Sequence, residues 1–170
     1  MMFELHTLQA LTVKCVLEND IPFQTLPNLL HQDINTLFQV KQCREKEQKL
    51  SQKLEILADE IDQSEYSAIS HECAAYASEI TIEKQDELIE ESEFFFNLVY
   101  KMHILVEEYE KKLGDIEEEE GFLIATLPHQ YYKMNIKLKE LPNYDETKQK
   151  VMESLNNCYK DLLEADQTRN

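Results

Sequence analysis

The stretch that decides the fold runs from Asp86 to Gly121 and reads DELIEESEFFFNLVYKMHILVEEYEKKLGDIEEEEG. Within it, one set of residues recurs every seven positions and a second set fills the intermediate position of each heptad. The first set is Leu88, Phe95, Met102, Tyr109 and Ile116, and the second is Ser92, Val99, Val106 and Leu113. Nine successive positions therefore follow the a/d pattern of a coiled coil with one polar exception, which predicts a long helix with an apolar seam.

The apolar surface of this predicted helix is wider than the seam alone. Phe94 and Phe96 flank the seam, and Leu98 and Leu105 lie off it. A two-stranded zipper needs only a narrow apolar stripe, so we expect this helix to contact two or three other helices. The residues that we expect to bind partner helices are Leu88, Phe95, Val99, Met102, Val106, Tyr109, Leu113 and Ile116.

The charge of the same stretch bears on the kind of partner. From Asp86 to Glu120 there are thirteen acidic residues against three lysines. Because like charges repel, this surface disfavours a parallel homodimer and favours a different, more basic partner helix. The other reading is that the acidic residues form a solvated face with no partner.

The rest of the chain also favours helix. The 170 residues include only two glycines and four prolines, and strands and tight turns need more of both. No proline lies between Pro27 and Pro128, and no glycine precedes Gly114. The sequence therefore predicts an all-α fold built on an elongated helical hairpin or coiled coil, with a short N-terminal helical pair and C-terminal helices.

The pattern divides the chain into three segments. Residues 1–36 are predicted to form the N-terminal helical pair, residues 37–120 the long coiled-coil helices, and residues 121–170 two shorter amphipathic helices. Gly121 marks a loop, Pro128 and Pro142 bound the first of the shorter helices, and Val151, Leu155, Cys158 and Leu162 share one side of the second. Between Ser64 and Ser70 serines and alanines replace strong helix formers, which leaves three readings: a kink, a turn between helices, or close helix packing.

Composition excludes several classes of protein. A formal net charge of −17 opposes binding to nucleic-acid phosphates and to anionic lipid surfaces. No apolar run approaches the roughly 20 residues that cross a bilayer. We therefore expect an intracellular protein, cytoplasmic or nuclear, that neither binds nucleic acid directly nor inserts into a membrane.

The sequence contains no pattern typical of an enzyme or a cofactor site. The four cysteines include no C-x-x-C pair, and none of the five histidines has a glutamate three positions before it, as a di-iron bundle requires. Phosphate-binding and nucleophile motifs need two or three glycines within a few residues of each other. The two glycines of this chain, Gly114 and Gly121, are too far apart to form such a motif. We expect no metal, no cofactor and no catalytic residues.

The N-terminal segment resembles a known family. Leu8 and Leu11 lie on an apolar helix, Val16 closes it, and Leu26 and Pro27 follow a proline-marked corner. This arrangement resembles the elongin-binding box of ubiquitin-ligase receptors, the BC-box or SOCS-box family, over about residues 7–30. The resemblance implies a partner site made of Leu8, Leu11, Val16, Leu26 and Pro27.

Three hypotheses about function follow. The first is a non-enzymatic coiled-coil subunit of a hetero-oligomeric assembly, such as a cytoskeletal, kinetochore or trafficking complex, whose partners are other helical subunits. The second, implied by the resemblance, is a ubiquitin-ligase substrate adaptor that uses its N-terminal helix to bind an elongin-type subunit. The third is a self-contained, monomeric helical bundle.

Overall fold

A computed structural model of the chain describes residues 8–26, 28–77, 80–132 and 134–167. The described residues form four α-helices, which confirms the all-α prediction: α1 (Leu8–Glu18), α2 (Asn28–Ala75), α3 (Ile82–Ala125) and α4 (Tyr144–Gln167). Short 3-10 turns occupy Phe23–Thr25 and His129–Tyr131. The two long helices, α2 and α3, pack as an antiparallel hairpin. The residues that the sequence assigned to a second short N-terminal helix form the start of α2.

The end of α1 is stabilised by a lysine from α2. Asp20 adopts a positive φ of 50°, and the amide of Ile21 donates to the carbonyl of Val16, the hydrogen bond of a Schellman cap. The buried ammonium of Lys41 donates to the carbonyl of Leu17 at 2.8 Å and lies 3.4 Å from the Asp20 carboxylate. Lys41 thereby satisfies a helix-end carbonyl that has no partner within α1.

The chain divides into two compact units, each with its own core. The first unit contains Met1–Lys49 and Lys112–Leu141. Its core joins α1 and the beginning of α2 to the segment that follows α3, and its buried members include Val13, Leu17, Ile34, Leu127 and Ile136. At the surface of this unit, Arg44 Nε donates to Glu120 Oε1 at 2.7 Å.

The second unit contains Leu50–Lys111 and Pro142–Asn170. Its core has three contributors: Ile56, Leu57 and Ile61 from α2, Leu98, Val99 and Met102 from α3, and Val151 and Leu155 from α4. α4 therefore covers one side of the hairpin, as its predicted apolar side requires. The side chains of Cys158 and Leu162, predicted for the same side of α4, lie outside the described residues.

The serine- and alanine-rich segment from Ser64 to Ser70 is continuous helix within α2. Ser64 and Ala68 are buried there, and Ser92 Oγ on α3 donates to the carbonyl of Ala68 at 2.9 Å. Small side chains let the two backbones approach closely enough for this hydrogen bond. Of the three readings of this segment, the structure supports close helix packing.

The connection between α3 and α4 differs from the prediction. α3 continues through Gly121 to Ala125, where the sequence predicted a loop, because Leu123 and Ile124 pack against the core of the first unit. Between Pro128 and Pro142, where the sequence predicts a short helix, the described residues after Tyr132 form neither helix nor strand, and the buried Met134 and Ile136 alternate with the exposed Asn135 and Lys137. Apolar and polar residues alternate from Met134 to Lys139, and this period of two suits an extended chain with one buried side.

Candidate partner-binding surface

The seam predicted on α3 lies against the chain's own helices. Val99 and Met102 belong to the core of the second unit, and Leu88 is buried as well. Phe95 is half-buried and its ring stacks on the His71 imidazole of α2, with 5.6 Å between ring centroids. In this structure α2 occupies the place beside these residues that the sequence assigned to a partner helix.

The rest of the seam is also partly covered. Val106 and Tyr109 pack against the core of the second unit, and Lys53 Nζ lies 5.4 Å from the centroid of the Tyr109 ring. Burial raises the pKa of the Tyr109 phenol, because a charged phenolate is poorly solvated there. Leu113 and Ile116 are half-buried in the first unit. These side chains are therefore largely occupied by packing within the chain.

Large apolar side chains are instead exposed on other sides of the hairpin in the second unit. Seven of them are between 42% and 77% exposed: Tyr66, Ile69, Tyr76, Ile82, Phe96, Tyr100 and Ile104. On α2, Ile69 and Cys73 are four residues apart and form one row along the helix, which Tyr76 continues in the turn directly after the end of α2. On α3, Phe96 and Tyr100 are four residues apart and form a second row.

The position of α4 shows that these two rows share one side of the hairpin. An α-helix turns by about 100° per residue. The residue before a buried position and the residue after it therefore point to opposite flanks of the helix. On α2, Glu60 precedes the buried Ile61 and pairs with Lys148 of α4 at 2.7 Å. Ile69 follows the buried Ala68 instead, so it lies on the flank away from α4.

The same relation holds on α3. Leu98 precedes the buried Val99 and belongs to the cluster that includes Val151 and Leu155 of α4. Tyr100 follows Val99, and Phe96 follows the half-buried Phe95, so both lie on the opposite flank from Leu98. The two rows therefore lie together on the side of the hairpin opposite α4, and we call Ile69, Cys73, Tyr76, Phe96 and Tyr100 the far face.

Polar contacts hold α4 on its own side. The Tyr144 hydroxyl donates to Asp59 at 2.9 Å, and this hydrogen bond to a carboxylate raises the pKa of the phenol. The Lys148 ammonium lies 2.7 Å from Glu60, which likewise raises the pKa of the lysine. Thr147 is buried and donates to Gln52. These contacts fix α4 away from the far face.

The helices that carry the far face are strongly acidic. No lysine or arginine occurs between Lys53 and Lys84, whereas α2 carries six acidic residues in that interval, four of which are exposed: Glu55, Asp59, Asp62 and Glu72. Between Gln85 and Glu110, α3 has eight acidic residues and Lys101. Glu65 and His103 face each other across the two helices at 4.0 Å. The far face is thus an apolar surface in a negative environment.

The predicted N-terminal partner site is only partly accessible. Leu8 and Leu11 are exposed on α1, three residues apart. Val16 is buried in the core of the first unit, and Leu26 packs against that core. Pro27 lies outside the described residues. Of these five residues, the structure therefore does not bring the four described ones, Leu8, Leu11, Val16 and Leu26, together on one exposed surface.

The described residues show no other candidate site of these kinds. Among them, no three His, Cys, Asp or Glu side chains come close enough to hold a metal ion. No helix in the described part of the chain combines the length and apolar character needed to cross a membrane. Comparisons of the chain with protein-family models, with curated proteins and with solved structures find no match.

The sequence contained a signal for the far face that could not be interpreted alone. Ile69, Cys73 and Tyr76 follow a heptad-like spacing, as the seam on α3 does. Spacing shows that residues share a side of a helix, but it does not show whether that side is inside or outside. The burial of Ala68 and Ala75 answers this question, because it shows that α3 packs on the side of α2 next to this row and leaves the row itself outside.

Proposed function

We propose that this protein is a non-enzymatic helical subunit of a hetero-oligomeric assembly, and that it binds helices of other proteins through the outside of its hairpin. The observation that carries the proposal is the exposure of seven large apolar side chains within the second unit, six of them on α2 and α3 and the seventh, Tyr76, directly after α2. Contiguous apolar surface on a folded protein is typical of sites that bind other proteins. Whether the assembly is cytoskeletal, kinetochore or trafficking stays a prediction from architecture alone.

The way in which this subunit would bind differs from the expectation raised by the sequence. Met102 and Val99 are covered by α2 and α4, so binding a partner is not needed to shield them from water. The third hypothesis, a self-contained bundle, is consistent with these internal cores. It gives no role to the exposed aromatic residues, which is why we favour the assembly subunit.

The adaptor hypothesis keeps one favourable observation, the exposure of Leu8 and Leu11. An elongin-type subunit would have to bind these two leucines without Val16, which is buried. Replacing both leucines by serine tests this hypothesis, because it predicts loss of that one partner while companions of the hairpin remain. If an elongin-type subunit never co-purifies with the unaltered chain, the adaptor hypothesis fails.

The assembly hypothesis is tested by comparing the protein in its own cells with the isolated chain. We expect the purified recombinant chain to sediment near its own mass of 20.1 kDa. In a cell extract, the tagged protein should elute in a larger complex, and other proteins should accompany it in a fixed ratio after a second purification step. Elution of the cellular protein at the size of the single chain would refute the proposal.

A further inference from the structure

The far face has the dimensions of a docking site for one helix. The hydrogen bond from Ser92 to Ala68 sets these two residues at one level of the hairpin, so Phe96 lies about 7.5 Å, nearly one and a half turns, from Ile69 along the axis. From Cys73 to the level of Tyr100 the distance along the hairpin is roughly 20 Å, at about 1.5 Å per residue. A partner helix of about 16 residues would span it.

The charge around the far face indicates what kind of helix it would accept. Asp62 and Glu72 on α2 and Glu93 and Glu107 on α3 are exposed near the two rows. No lysine or arginine of α2 lies between Lys53 and the end of the helix, so nothing basic on α2 offsets these carboxylates there. An acidic partner, or a second copy of this chain, would bring like charges together.

We propose that the far face binds one basic amphipathic helix of another protein. The apolar residues of that helix would pack between Ile69 and Tyr76 on one side and Phe96 and Tyr100 on the other. Its lysines and arginines would face the carboxylates at the edges, the arrangement by which amphipathic helices bind grooves. This inference rests on the proposed function and adds the place of binding and the chemistry of the partner.

The unaltered chain provides a footprinting test. Cys73 lies in the far face, whereas Cys15 lies on α1 in the other unit, and both are exposed. The probe is a synthetic peptide of about 16 residues with leucines at a and d positions and lysines elsewhere. We expect the peptide to slow alkylation of Cys73 without slowing that of Cys15, as followed by mass spectrometry of the digested protein.

Two control peptides separate the parts of the proposal. A peptide with the same composition in scrambled order keeps the charge and loses the apolar side, and a peptide with glutamate in place of lysine keeps the apolar side and reverses the charge. Neither should protect Cys73. Equal protection by either control, or none by the lysine peptide, would overturn the proposal.

Substitutions then test the residues themselves. The double variant Phe96→Ser, Tyr100→Ser should weaken binding of the lysine peptide by about tenfold or more, as loss of central aromatic anchors does. The matched control is Phe122→Ser, because Phe122 is an exposed phenylalanine of α3 that lies in the other unit. Circular dichroism melting checks that both variants remain folded. Unchanged affinity in the double variant would refute the proposed site.

The results also separate this inference from the proposed function. If companions purify with the chain from cells but remain bound to the Phe96→Ser, Tyr100→Ser variant, the assembly exists and the far face is not its docking site. Sedimentation that shifts to a dimer with rising concentration, and that the double variant abolishes, would assign the far face to a second copy and overturn the inference. Absence of any companion refutes the proposed function itself.

Discussion

Replacing Met102 by alanine tests whether the row on α3 is an internal surface. Met102 is 0% exposed and lies in the core of the second unit with Leu57 of α2 and Leu155 of α4. Truncating a fully buried methionine removes its apolar contacts and leaves a cavity, which costs about 2–5 kcal/mol. For a chain of this size, a loss of about 3 kcal/mol lowers the melting temperature by roughly 6–12 °C.

Urea denaturation of the isolated chain, followed by circular dichroism, measures this difference. The matched control is Ile104→Ala, which removes a similar apolar group two residues further along the same helix, where the side chain is 42% exposed. We expect the control to cost less than about 1 kcal/mol. If Met102→Ala in the isolated chain costs no more than Ile104→Ala, the row is not packed within the chain and the assignment of this core is wrong.

Four further predictions concern stability. Lys41→Met should lower the free energy of unfolding by about 1.5–3 kcal/mol, since the ammonium no longer donates to the end of α1, and urea denaturation measures it. Ala68→Leu should cost about 1–3 kcal/mol in the same assay, because a leucine cannot fit where α2 and α3 pack closely. Gly114→Ala should raise the free energy of unfolding by about 0.5–1 kcal/mol, because the site is helical with open space around it, and the melting temperature should rise accordingly. Burial raises the pKa of Tyr131, so its contribution to stability is complete below pH of about 10 and is lost as pH rises through the folded pKa; Tyr131→Phe should therefore flatten the fall in melting temperature at alkaline pH.

The helices could be predicted from the sequence because their signals are local. The scarcity of glycine and proline, together with the heptad spacing from Leu88 to Ile116, is enough to predict long helices. The neighbour of the seam could not be predicted in the same way. Spacing is identical whether the facing helix belongs to the same chain or to another, so the packing of Met102 against α2 required the structure.

Two local predictions failed for physical reasons. Gly121 is a weak helix former, but its cost of about 1 kcal/mol is small beside the burial of the apolar residues that follow it in α3. Pro128 and Pro142 suggested the two ends of a helix, whereas the alternation from Met134 to Lys139 between them was the stronger signal. A run this short is marginal as a helix in water, so the burial of Met134 and Ile136 decides its conformation.

That segment has a consequence for how the protein exchanges hydrogen with solvent. The described residues include no strand that could pair with it, and two of its backbone amides donate to side chains instead: Lys137 to Glu18 at 3.1 Å and Lys139 to Glu45 at 3.3 Å. A deuterium-uptake map read only by secondary structure would treat residues 134–140 as a fast-exchanging linker. Slow uptake at these two amides would instead show that the segment is hydrogen-bonded to α1 and α2. Deuterium uptake there would then report whether the core of the first unit is intact.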